Sequence, residues 1–234
     1  MNNNFFIWTE SIYSFDSCRE SINSFLKFHK NLYLNVFALE EHIKFLPVSE
    51  KIIYHTFAKI NLLDHLRKRL FYRNKKIFSL DRRFFKKNNV NDFFGKSLLW
   101  GYILKKYINY PLIIHFSNKI IFSDSHLSHL IKMSYEYDLI STKILQNKKR
   151  KYIDNVNCSY SFDHNLILLK PFLIPSISRI NQYAFAKLIR GQNKSNERLK
   201  IGFLDQLCRE LISNNGKFTE INQKTFDSSV SLPK

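Results

Sequence analysis

Glycine and proline are scarce: a chain of 234 residues has 5 of each. So few glycines leave no glycine-rich phosphate cradle, and no P-loop, G-x-G-x-x-G or H-E-x-x-H motif occurs. The same poverty, beside a hydrophobic content of 44%, argues against a disordered chain. Cysteine is rarer still. Cys18, Cys158 and Cys208 stand far apart and fit neither a zinc pattern nor a disulfide framework, so reduced thiols in a cytoplasmic protein are expected. No apolar run approaches the roughly 20 residues of a membrane helix. The opening Met1-Asn-Asn-Asn-Phe-Phe lacks a charged n-region and a long apolar stretch, so no secretory signal is expected there. Acidic residues are also few, 19 against 37 Lys and Arg, which leaves a net charge of +18.

That charge suits polyanions: nucleic acid, anionic lipid headgroups or phosphate-bearing substrates. Asn, Ile, Phe, Tyr and Lys all have AT-rich codons, so genome composition alone can raise the lysine count. It accounts less easily for the clusters Arg67-Lys-Arg69, Arg82-Arg-Phe-Phe-Lys-Lys87 and Lys148-Lys-Arg-Lys151.

The length fits one domain with a substantial core. Phe5-Phe-Ile-Trp8 reads as a first strand, with Thr9-Glu-Ser beginning a polar loop. Cys18, Ile22, Phe25, Leu26 and Phe28 then recur at helical spacing. Strands are expected at 32–38 and 51–55, with a short helix between them that Pro47 stops. Leu62 to Phe71 is helical in period and basic in between. A helix is expected over 92–107 with Asp92 as its cap. Pro111 to Phe122 carries a continuous apolar run, as a strand covered on both faces would. Ser123-Asp-Ser offers a helix start before Leu127, Leu130 and Ile131. Further extended pieces are expected at 138–141 and 161–170, and further helices at 178–189 and 203–212. Strands alternating with helices predict a single α/β domain with a mainly parallel mixed sheet flanked by helices, spanning 1–224, followed by a polar tail at 225–234.

The order of elements resembles the A-type fold of nucleotide-diphosphosugar glycosyltransferases, a Rossmann-like family found in surface-polysaccharide gene clusters. Phe5-Phe-Ile-Trp-Thr-Glu-Ser, with the helix from Ser17, is similar to the opening nucleotide-side unit. Phe94-Gly-Lys-Ser-Leu-Leu-Trp resembles the helix before the metal-site strand. Ile113-Ile-His-Phe-Ser-Asn-Lys resembles that strand and its turn. Phe162-Asp-His-Asn-Leu-Ile and Phe203-Leu-Asp-Gln resemble the acceptor-side strand and helix. The resemblance spans most of the chain, and each piece is weak alone.

In that family an Asp-x-Asp motif ends the central strand and holds Mn or Mg on the diphosphate. Here the place reads Ser117-Asn118-Lys119. Hard divalent cations need oxygen ligands, and a lysine repels them. Three readings stand: Lys119 neutralises the diphosphate without metal, the chain is an inactive relative, or Lys119 is a solvated turn residue. The resemblance further implies Thr9 and Glu10 at the nucleotide, Lys96 near a phosphate, Asp163 as acceptor-side base, and Asp205 with Gln206 on acceptor hydroxyls. Each has a plain alternative: loop, solvated helix face, strand-edge turn or first turn of a helix. Asp124 is expected at the start of the next helix. His126 and His129 share a helix face but lack assigned companion ligands.

The resemblance thus implies a sugar-nucleotide donor, a glycan or lipid-linked acceptor, and peripheral contact with the anionic inner face of a membrane. The competing class is a basic nucleic-acid-binding protein, in which the 15% aromatic residues would stack on bases. A non-catalytic scaffold on the same fold is the third reading.

Overall fold

A computed structural model describes residues 5–11, 15–57, 99–100, 103–142, 144–146, 160–162, 165–171, 214–221 and 230–231. Strand β1 (Phe5–Ser11) leads into helix α1 (Asp16–Phe28), then β2 (Leu34–Leu39), the short α2 (Glu40–Ile43) and β3 (Ile52–Phe57). Helical residues 99–100 and 103–106 precede β4 (Leu112–Phe116) and the two-residue β5 (Ile121–Phe122). Helix α3 (Leu127–Met133), β6 (Leu139–Ser141), β7 (Ile144–Gln146), β8 (Tyr160–Phe162), β9 (Leu166–Leu169), β10 (Phe218–Glu220) and β11 (Val230–Ser231) complete the described elements.

Seven strands form one sheet in the order β10-β6-β9-β4-β1-β2-β3. All neighbours run parallel except β9, which is antiparallel to both β4 and β6. This is the mainly parallel mixed sheet the sequence predicts. Its strands read as near-continuous apolar runs because both faces are covered: all five residues of β4 and all four of β9 are buried.

Side chains alternate between two covers. Ile7, Val36, Ile114, Phe116 and Leu168 face α1 and pack on Cys18, Ile22 and Phe25. Phe6, Trp8, Phe37, Ile113 and His115 occupy the alternate positions. There Tyr107 stacks on Phe6 at 3.7 Å, and Trp100 meets Trp8 edge-on at 4.9 Å.

The chain departs from the expectation in four places. Thr9, Glu10 and Ser11 continue β1 and are buried, so they are not a loop. Parallel pairing with β2 extends through Ser11 opposite Ala38, so sheet hydrogen bonding overrides their polarity. The extended stretch at 161–170 comprises two strands, β8 and β9, in different sheets. Strand β10 is a strand the sequence reading lacks. It follows Asn214-Asn215-Gly216, where Asn215 adopts φ 55°, a left-handed conformation asparagine tolerates. Within the polar tail, β11 pairs antiparallel with β5. The readings for 59–91, 148–157, 178–189, 191–197 and 203–212 lie outside the described residues.

Candidate functional site

Strands β1, β2 and β3 are laid down successively on one side, while β4 is added on the other flank of β1. The winding therefore reverses between β1 and β4. In open α/β sheets such a reversal leaves a crevice outside the carboxyl ends of the two strands, where ligands bind. The residues there are Thr9-Glu10-Ser11 from β1 and Ser117-Asn118-Lys119 from β4. Both are stretches singled out in the sequence, and the parallel pairing of β1 with β4 brings them to the same edge.

The β4 turn is held from both sides. The Ser117 backbone N–H donates to the Asn165 carbonyl at 2.7 Å, and the Ile120 N–H closes the turn onto the Ser117 carbonyl at 3.1 Å. The Ser117 hydroxyl donates to Asn165 Oδ1 at 3.2 Å and accepts the Lys119 N–H at 3.3 Å. From α1, Ser24 Oγ accepts the Phe122 N–H at 3.0 Å, and Ser21 Oγ donates to the Ser117 carbonyl at 3.5 Å. Ser117 and Asn118 are consequently buried, while Lys119 is exposed. The hydroxyl of Ser117 is thus committed to the turn, and Lys119 is the residue of the three that reaches solvent.

On the β1 side, Thr9 lies on the α1 face and its hydroxyl finds no hydrogen-bond partner among the described residues. Glu10 lies on the opposite face. Its Oε2 accepts a hydrogen bond from His115 Nε2 at 2.6 Å, and both side chains are almost wholly buried. The imidazole is wrapped by Trp8 at 4.2 Å and Trp100 at 4.9 Å, ring centre to ring centre. Its Nδ1 has no hydrogen-bond partner among the described residues. Ser11 meets His42, whose Nδ1 lies 2.6 Å from the Ser11 carbonyl. Beneath them Cys18 is a buried thiol whose pKa is pushed up to about 12, by desolvation first and then by the charge of Glu10.

The described residues at this edge do not fit a divalent ion. The turn itself supplies no carboxylate. Among the described residues, no group of three or more His, Cys, Asp or Glu is disposed to hold a metal. Asp124, the next acid along, accepts the His126 N–H at 2.7 Å and so shapes the entry to α3, as expected. His126, the N-cap of that helix, and His129 in its first turn have ring centres 5.5 Å apart. Lys96, Asp163, Asp205 and Gln206 lie outside the described residues.

Sequence reasoning missed His115, Asn165, Ser21 and Ser24. His115 carried a signal, being the single ionisable residue inside the apolar run of β4. The others are ordinary polar residues whose role appears only once α1, β4 and β9 are brought together.

No family model and no curated protein matches the chain. Solved structures do. The apo form of mouse xyloside xylosyltransferase 1 superposes with a TM-score of 0.51 at 13% identity, over 93% of this chain and 85% of that one. Galactosyltransferase LgtC, in complex with donor and acceptor sugar analogs, matches at 11% identity and TM-score 0.48, over 94% and 74% of the two chains. The glycosyltransferase GlyE of Streptococcus pneumoniae TIGR4 matches at 11% identity and TM-score 0.48, over 96% of this chain and 47% of its own. Likeness at such identity concerns the fold, which is that of the A-type glycosyltransferases: an α/β domain with a mostly parallel mixed sheet flanked by helices.

Proposed function

We propose that the chain binds a nucleotide-diphosphosugar at the carboxyl ends of β1 and β4 and transfers its sugar to a glycan or lipid-linked acceptor without a divalent metal. The observation that carries this reading is the reversal of winding between β1 and β4, with the exposed Lys119 at its lip. A lysine ammonium placed there offsets diphosphate charge as it develops on the leaving group. The turn that presents Lys119 is fixed by hydrogen bonds to Asn165 and Ser24, so little ordering is left for binding to supply. In the transfer, the acceptor hydroxyl oxygen bonds to the anomeric carbon as the bond to the diphosphate oxygen breaks. The nucleoside diphosphate leaves with the electron pair, and the hydroxyl proton passes to a carboxylate, a role we assign to Asp163. Thr9 and Glu10, being buried, underlie the nucleotide side without touching the donor, Asn118 lies at the turn, and Lys96 is assigned to the phosphates. Asp205 and Gln206 hold the acceptor. A net charge of +18 suits both the donor and an anionic membrane surface where lipid-linked acceptors of surface polysaccharide reside. No helix among the described residues is long and apolar enough to cross a membrane.

The nucleic-acid reading needs exposed rings. Phe6, Trp8, Phe25, Phe37, Trp100, Phe116 and Phe122 are instead core residues, and the exposed rings Tyr33, Phe45 and Tyr135 lie on three separate segments of the chain.

Calorimetry with a panel of uridine and guanosine diphosphosugars, with manganese and with chelator, tests the proposal. The expected result is binding that chelator leaves unchanged and that Lys119→Ala weakens about tenfold or more, the usual worth of a hydrogen bond to a charged group. Failure to bind any donor under either condition sinks it.

A further inference from the structure

The Glu10–His115 pair calls for a reason. It spans the two central strands diagonally: His115 stands opposite Trp8 in the register, and Glu10 lies two residues further along β1. The bond is short, at 2.6 Å, and the side chains are only 2% and 3% exposed. Holding a sheet together does not require such a pair. Taking a carboxylate and an imidazole out of water is costly, and well-packed apolar residues in the same volume commonly serve stability as well or better. Ile113 on the same face of β4 and Phe37 opposite Glu10 show that this cover accepts apolar side chains. What sets the pair apart is its place. It joins β1 to β4 at the point where the winding reverses. Ser117 begins two residues beyond His115, and Ser11 follows Glu10 directly.

We propose that His115 is a positioning residue: by hydrogen-bonding Glu10 it fixes the carboxyl end of β1 against that of β4, and so sets the spacing between the Thr9–Ser11 edge and the Ser117–Lys119 turn. The bond is directional, whereas the apolar packing on the α1 face resists separation but tolerates sliding. Trp8 and Trp100 close over the imidazole and keep water from competing for it. The donor-binding consequence rests on the function proposed above; the coupling of the two strand ends does not.

Three variants separate positioning from plain stability: His115→Ala, His115→Gln, and the double apolar change Glu10→Leu with His115→Leu. Each is measured by thermal unfolding, by hydrogen exchange of the 117–122 backbone amides, and by calorimetry with the sugar nucleotide that the unaltered protein binds. A side-chain amide can still donate to Glu10, so His115→Gln keeps exchange and affinity within about threefold, whereas His115→Ala speeds exchange at 117–122 and weakens donor binding about tenfold. The double variant unfolds within a few degrees of the original temperature, yet exchanges fast at 117–122 and binds poorly. Should the double variant show original exchange at 117–122, the positioning role is overturned, because packing alone then sets the turn. Should the unaltered protein bind no sugar nucleotide, the transferase reading fails, and the exchange measurement still decides the coupling.

Discussion

The core of the sheet face under α1 is apolar, with Phe25, Phe116 and Phe122 among its aliphatic residues, whereas the opposite face buries a hydrogen-bonded ionisable pair among its rings. Under α1, Ile7, Val36, Ile114 and Leu168 meet Ile22 and Phe25 with hydroxyl groups at the margin. Opposite, Trp8, Phe37, Trp100 and Tyr107 surround His55, His115 and Glu10. Both faces are buried, so burial alone does not separate them. The difference lies in what each loses on substitution: the first loses contact area, the second loses direction.

The sharpest contrast comes from Phe25 and His115. Phe25 is fully buried and stacks on Phe116 at 5.4 Å, so Phe25→Ala is expected to lower unfolding free energy by about 3–5 kcal/mol in urea titration. His115→Leu leaves the Glu10 carboxylate without its imidazole and should cost about 3 kcal/mol. Adding Glu10→Leu should recover nearly all of that loss, a coupling that comes from removing the stranded carboxylate.

Acid should weaken both faces. His29, against Phe25 and Phe122, and His55, stacked on Phe37, are each lowered to about 4, chiefly by desolvation. Asp124 pulls His29 partly back, while Lys106 pushes His55 further down. The folded state keeps both imidazoles neutral, and the unfolded chain takes up protons below its ordinary value of 6.5. Stability therefore holds above that value and falls as pH drops from 6.5 towards about 4. The urea midpoint followed across that window, with His29→Gln and His55→Gln each flattening part of the slope, checks this.

Smaller effects follow at the margin of the α1 face. Ser24→Ala removes the acceptor for the Phe122 N–H and should cost about 1 kcal/mol, read by the same titration. Cys18, held near 12, carries little thiolate, so peptide mapping after iodoacetamide treatment should find it unlabelled until the protein unfolds. Labelling of Cys18 in the native protein would show the α1 face to be more open than its apolar packing implies.

Much of the fold is legible in the residues. The unbroken apolar run of β4 predicts a strand covered twice, and the period of Cys18, Ile22 and Phe25 places α1 on it. Pairing is harder to read. Thr9, Glu10 and Ser11 look like a loop because their polarity gives no hint that β2 and β4 will flank them. Phe218-Thr-Glu220 is too short and too polar to announce β10, which takes its order from β6 and from Asp138, whose carboxylate accepts the Lys217 N–H at 2.8 Å. At the site, Ser117 to Lys119 could be found by its position after an apolar strand. The partners of that turn could not, since Asn165 lies 48 residues away and Ser24 is 98 residues from Phe122.

The antiparallel β9 has a consequence for how the chain is made. It sits between β4 and β6, yet both of its neighbours leave the ribosome before it does. Until Leu166–Leu169 emerges, β4 and β6 each present an open hydrogen-bonding edge made of apolar residues. Such edges recruit other chains, so the nascent protein passes through a window in which its centre is its most adhesive part. Insertion of β9 closes the facing edges of β4 and β6 at once, leaves the far edge of β6 to β10 and, through Asn165, ties down the Ser117 turn in the same event.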